Sequence, residues 1–147
     1  MDIPLKLILV PLIAAGVTQG LKVLIRLLRS GRIELGLVTH YGGMPSGHTA
    51  YVASLVTAIG LAAGVESPIF AVAAAFALIT VRDAVSFRQY LSRYGTVLNH
   101  LLREHPKESV SPLPERIEER LGHTPLQALV GGTIGVALSW LLWILTG

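Results

Sequence analysis

The 147-residue chain is 52% hydrophobic and only 14% charged, with a mean hydropathy of +0.61, whereas an ordinary soluble domain carries roughly a quarter charged residues. Lipid is the solvent such a composition suits, and residues 1–147 have room for a single domain of about three to five spans with no separate soluble domain beside it. The formal net charge is +3, and the absence of cysteine excludes a disulfide framework and a thiolate metal site.

The first span is expected from Ile3 to about Leu28. Asp2 precedes the first apolar run and no small-residue cleavage site follows it, so the segment reads as a retained helix rather than a removable leader. Lys6 lies near one end and Gln19, Lys22 and Arg26 toward the other, where snorkelling at the interface is enough to explain the cations. A linker holding Arg29, Arg32 and Glu34 leads to Tyr41-Gly42-Gly43-Met44-Pro45-Ser46-Gly47-His48, and a second apolar run extends from Thr49 to about Gly64. After a short turn to Pro68, Ile69 to Val81 forms a third run that stops at Arg82 and Asp83. Val85, Leu91, Val97, Leu98, Leu101 and Leu102 keep a helical apolar spacing, which predicts an amphipathic continuation through Arg103 lying at the membrane interface. Three prolines and many charges make residues 105–120 a polar loop, with a short helix expected from Pro114 to Leu121. The last span opens where Thr124 can cap a helix and Pro125 fits its first position, and Gly131, Gly132 and Gly135 would let that helix pack closely. The expected fold is therefore an all-α polytopic membrane bundle of about four transmembrane helices plus an interfacial amphipathic helix.

Four spans put both ends of the chain on one membrane face, and the His48 loop and residues 83–122 on the other. Of the twelve Lys and Arg residues only Lys6 lies toward the terminal face, so the positive-inside bias places the loop face in the cytoplasm. Taken alone, Pro45-Ser46-Gly47-His48 is equally a capped helix start with a bystander histidine, and so is Gly122-His123-Thr124-Pro125. Taken together they place two histidines at two helix N-termini on one face, where free N–H groups and helix dipoles favour an anion. A phosphate monoester needs cations for its oxygens, a nucleophile in line with phosphorus and an acid for the departing alkoxide, and that face offers each.

The ordered set Gln19 and Lys22, Gly42 to His48, Asp83-Ala84 with Arg88 and Asn99, then Leu121 to Pro125 and the glycines after it resembles the divergent branch of the type 2 phosphatidic acid phosphatase and vanadium haloperoxidase superfamily. The resemblance implies that His123 is a nucleophile forming a phosphohistidine, and that His48 is the acid protonating the leaving oxygen. It implies that Lys22, the Ser46 hydroxyl, the Gly47 amide and Arg88 hold the nonbridging oxygens, with no metal or other cofactor required. The superfamily usually has an acid four residues after the nucleophile; this chain has Gln127, which can orient the ring but cannot offset its charge. Asp83 has two readings, a partner of Arg88 or Arg82 or a carboxylate standing in for the missing one. The paired Ser-Arg before the nucleophile is absent, although Arg116 and Arg120 lie nearby on what reads as a solvated basic segment. His40 and Tyr41 flank the signature loop; His100 and His105 receive no role.

The expectation is a lipid-phosphate phosphatase in the cell membrane with its site at the cytoplasmic face, acting on phosphatidylglycerophosphate, phosphatidate or an isoprenoid phosphate. The alternative is a lapsed relative that binds or translocates phosphorylated lipid. A phosphorylated lipid and the membrane are the expected partners, nucleic acid is not, and four short helices leave room for a homodimer.

Overall fold

The structure is a computed structural model that describes residues 2–31, 43–104, 117, 119 and 122–147. Its described elements are α1 (Ile3–Ser30), α2 (Gly47–Ala63), α3 (Pro68–Arg82), a π-helical turn (Asp83–Phe87), α4 (Arg88–Glu104) and α5 (Pro125–Leu145). The helical membrane bundle expected from the sequence is present. α1, the continuous 37-residue helix from Pro68 to Glu104, and α5 are each long and apolar enough to cross a membrane, while α2 is a shorter apolar helix. At 1.5 Å per residue its 17 residues rise about 25 Å, slightly less than the roughly 30 Å hydrocarbon core.

The helix boundaries follow local chemistry. Ser46 caps α2 by accepting from the Thr49 N–H, and Ser67 caps α3 by accepting from Phe70, with Pro68 in the first turn, where its missing N–H costs nothing. α1 ends on Gly31 in a left-handed conformation (φ +66°), its N–H returning to the Leu27 carbonyl. α5 begins with a complete capping box: Gln127 N–H donates to Thr124 Oγ1, and Gln127 Oε1 accepts from the Thr124 N–H.

α2 sits centrally against α1, α3 and α5. Lipid tails are as apolar as leucine, so helices in a membrane associate through close van der Waals packing, which favours small residues. The buried stripe of α5 is accordingly Ala128, Gly131, Gly135 and Ser139, and that of α2 includes Ala50, Ser54 and Ala58. A Cβ on Gly131 would overlap the Ser46 carbonyl, and one on Gly135 the Ala50 carbonyl. The role expected for these glycines is thereby given a specific contact. Deeper in the bundle Ser139 Oγ donates to the Ser54 carbonyl at 3.1 Å. α1 turns inward a stripe of residues spaced four apart, Lys6, Val10, Ala14, Thr18 and Lys22. Lys22 is thus buried in the bundle rather than snorkelling outward, and Lys6 at the opposite end donates to the Gly147 carbonyl and lies 4.8 Å from the Trp143 ring centre.

The amphipathic continuation of the third span exists as α4, joined to α3 by a π turn that the apolar spacing does not predict. In that turn the Arg88 N–H reaches the Asp83 carbonyl five residues back. The short helix expected from Pro114 to Leu121 lies almost wholly outside the described residues. Ile117 and Glu119, which are described, have no helical conformation and are bonded to α4.

Candidate active site at two helix N-termini

The start of α2 and the start of α5 are tied directly together. The Ser46 N–H donates to the Gln127 carbonyl at 3.2 Å, and the close approach at Gly131 holds the two N-terminal turns side by side. This brings the His48 and His123 rings to a centroid separation of 6.4 Å with an interplanar angle of 55°. His48 is exposed while His123 is 5% exposed. A single phosphoryl group between the rings can touch both.

Three charged side chains act on this pair. Lys22, Arg88 and Asp83 all lie close enough to His48 to perturb it electrostatically, and Lys22 acts on His123 as well. The Lys22 stem passes under Gly43, whose φ of +89° only glycine adopts readily and where an added Cβ would meet Lys22 Cδ at 3.6 Å. Gln19, one turn before Lys22, reaches toward Gly47. Arg88 Nε pairs with Asp83 Oδ2 at 2.9 Å across the π turn, with both side chains partly exposed. Of the two readings of Asp83, the pairing with Arg88 is the one observed.

Ser46 is wholly buried, and its Oγ accepts from the Thr49 N–H and from Thr49 Oγ1 at 3.0 Å. Its hydroxyl oxygen therefore serves as the helix cap, which leaves only its own proton to offer an anion. Gly47 opens the first turn of α2, where amides have no intrahelical acceptor. Burial pushes the His123 imidazole below its usual pKa, and the Lys22 charge pushes it further down; the Gln127 side chain and the Gly43 backbone pull the other way. His123 Nδ1 is buried without a hydrogen-bond partner among the described residues.

A feature outside the sequence motifs fixes the His123 segment. The His123 N–H donates to the Ala84 carbonyl in the π turn at 3.0 Å, and Gln89 Nε2 donates to the His123 carbonyl at 2.8 Å. Ser92 Oγ donates to the Glu119 carbonyl. Asn99 binds Ile117 twice, its Nδ2 donating to the carbonyl at 2.8 Å and its Oδ1 accepting from the N–H at 2.9 Å. The wall formed by the π turn and α4 thus grips the chain at 117, 119 and 123. Gly122 lies so close to Gln89 and to the backbone of Arg88 that a Cβ there would collide. Asn99 belongs to the ordered set that carries the family resemblance but has no role assigned by it; Gln89 and Ser92 carry no sequence signal.

His100 pairs with Glu104 on the exposed side of α4, at 3.2 Å. His40, Tyr41, His105, Arg116 and Arg120 lie outside the described residues. Among the described residues no three His, Asp or Glu side chains gather closely enough to hold a metal ion.

A family profile described as "Divergent PAP2 family" matches residues 4–138. The uncharacterized membrane protein YuiD of Bacillus subtilis (strain 168) is 36% identical over 134 residues, which cover 84% of this chain and 85% of that protein. No solved structure matches the chain. With nearly all of its length matched, this integral membrane protein belongs to the divergent PAP2 family, a branch of a phosphatase-related group.

Proposed function

We propose that the protein is a lipid-phosphate phosphatase working through a phosphohistidine. The observation that carries the proposal is the pairing of His48 and His123 at two helix N-termini with the cations Lys22 and Arg88 acting on them. In the first step the His123 nitrogen lone pair attacks phosphorus, the bond to the leaving oxygen breaks, and His48 gives that oxygen its proton. In the second, His48 takes a proton from water, whose oxygen attacks phosphorus, and the N–P bond breaks to regenerate neutral His123 and inorganic phosphate. Lys22, Arg88, the Gly47 N–H and the Ser46 hydroxyl proton stabilise the nonbridging oxygens, where transition-state charge is concentrated. Asp83 orients Arg88 for that task, and Gln127 braces the His123 ring.

The eleven cations toward the loop face favour a site at the cytoplasmic face of the cell membrane. A substrate presented there, such as phosphatidylglycerophosphate, phosphatidate or an isoprenoid phosphate, fits that placement. Phosphate release from these lipids by the purified protein, compared with a His123→Ala variant, tests the reading.

A second reading, binding of phosphorylated lipid without turnover, is favoured by one observation: His123 Nδ1 is buried without a hydrogen-bond partner among the described residues, and the resemblance implies an acid where this chain has Gln127. Saturable binding with no phosphate released from any of the three lipids would select it.

A further inference from the structure

α3 and α5 both lie against α2 but do not pack closely on each other. Between them runs an apolar groove of about 850 Å³, its floor at Thr49 and Ala53 of α2 and its walls formed by α5 from Pro125 to Ala137 and by α3 and the π turn from Leu78 to Ser86. Its volume falls within the roughly 300–1,000 Å³ of pockets that bind small ligands.

Its position is informative. Thr49 directly follows His48, Pro125 is two residues beyond His123, and Arg82 and Ser86 line the end nearest the histidines. From there the groove descends along α5 for the twelve-residue rise between Pro125 and Ala137, about 18 Å at 1.5 Å per residue. One leaflet of a bilayer has a hydrocarbon depth of about 15 Å, half of the full core. Leu78 and Leu129 on the two lips are 71% and 67% exposed, so the groove is open sideways to lipid along its length. Its polar end carries a cation and its body carries none, which is the charge pattern of a single-tailed segment of an anionic lipid.

From this geometry we infer that the groove between α3 and α5 holds one hydrocarbon tail of the phosphorylated lipid, admitted sideways from the bilayer, with the phosphate end at His48 and His123. The inference rests on the phosphatase reading for the phosphate end, and on the groove alone for the tail. Bilayer and groove are similarly apolar, so the tail gains little affinity by entering; what the groove supplies is orientation of the phosphoester relative to the nucleophile.

The test uses the full chain in lipid nanodiscs with hexadecyl phosphate carrying a diazirine at the far end of its chain. Photolabel is expected on the α3 and α5 walls at Leu78 and between Leu129 and Ala137, to be competed by excess hexadecyl phosphate but not by hexadecanol, and to be lost in Thr133→Trp, which fills the groove from its exposed lip. Label spread over outward residues such as Val72 and Ile144, or equal competition by hexadecanol, would mean ordinary boundary lipid and overturn the inference. Turnover is read separately. Thr133→Trp is expected to slow release from hexadecyl phosphate about tenfold or more, a loss typical of a misplaced reacting group, while leaving water-soluble p-nitrophenyl phosphate unaffected. Groove labelling without turnover of either ester by the wild-type protein would sustain the tail site and remove the phosphatase reading. Turnover with equal losses on both esters in Thr133→Trp would do the reverse.

Discussion

At His123, burial and the Lys22 charge act in the same direction and favour the neutral imidazole, which is the nucleophilic form. Activity that needs neutral His123 is lost as pH falls through its pKa. Since that pKa lies below the usual imidazole value of about 6.5, the acid limb of kcat/KM is expected below that value, and a pH–rate profile on a soluble phosphate ester measures it. Gln127→Glu would bring a carboxylate to the imidazolium, raise the His123 pKa and move that limb to higher pH without abolishing turnover. The capping box survives the change, because glutamate serves at the same position. An acid limb that stayed in place would show that residue 127 does not act on the ring. The two histidines and the Thr124 cap were legible in the sequence because each belongs to a short motif at a helix start, whereas Lys22, toward the end of α1, stood out only through the family resemblance. The Asp83–Arg88 pair was legible only as one of two options, since residues five apart meet this way when the intervening turn widens to the π form.

Among the elements, α2 and α5 decide whether the site exists. Gly131→Ala and Gly135→Ala would each force a methyl group against a carbonyl of α2, and overpacking of this kind typically costs about 1–3 kcal/mol. Thermal unfolding in detergent should show both variants destabilised, with Gly131→Ala also losing turnover because its contact is Ser46, the cap of the His48 helix. The π turn and α4 form the other decisive element. Asn99→Ala would remove both hydrogen bonds to Ile117 and leave its backbone groups unpaired, a loss of about 1–3 kcal/mol from the stability of that segment. Hydrogen exchange over residues 117–123 should quicken, and kcat should fall with little change in KM, because Lys22 and Arg88, the cations proposed to hold phosphate, lie outside the loosened segment. Four of the helices could be placed from capping residues, prolines and apolar runs. The grip of α4 on the His123 segment could not, because it joins residues 18 to 34 positions apart through side chains that are unremarkable in sequence.

For the molecule as a whole, the two helix N-termini and the π turn share one end of the bundle, while Lys6 and Gly147 meet at the other. Topology is open to a direct check because the chain has no cysteine of its own. A single cysteine at Glu66, in the α2–α3 turn, should react with an impermeant thiol reagent added to intact cells, whereas one at Tyr94, exposed on α4, should react only after permeabilisation. The opposite pattern would move the site to the outer face and change the lipids that can reach it. The most direct test of the central claim is phosphate release by the detergent-purified protein from phosphatidylglycerophosphate, phosphatidate and farnesyl phosphate, with His123→Ala measured alongside for both turnover and thermal unfolding. The account predicts release by the wild-type protein and a fall of several orders of magnitude in a variant that stays folded, as expected on removing a covalent nucleophile. Full activity in folded His123→Ala would contradict it.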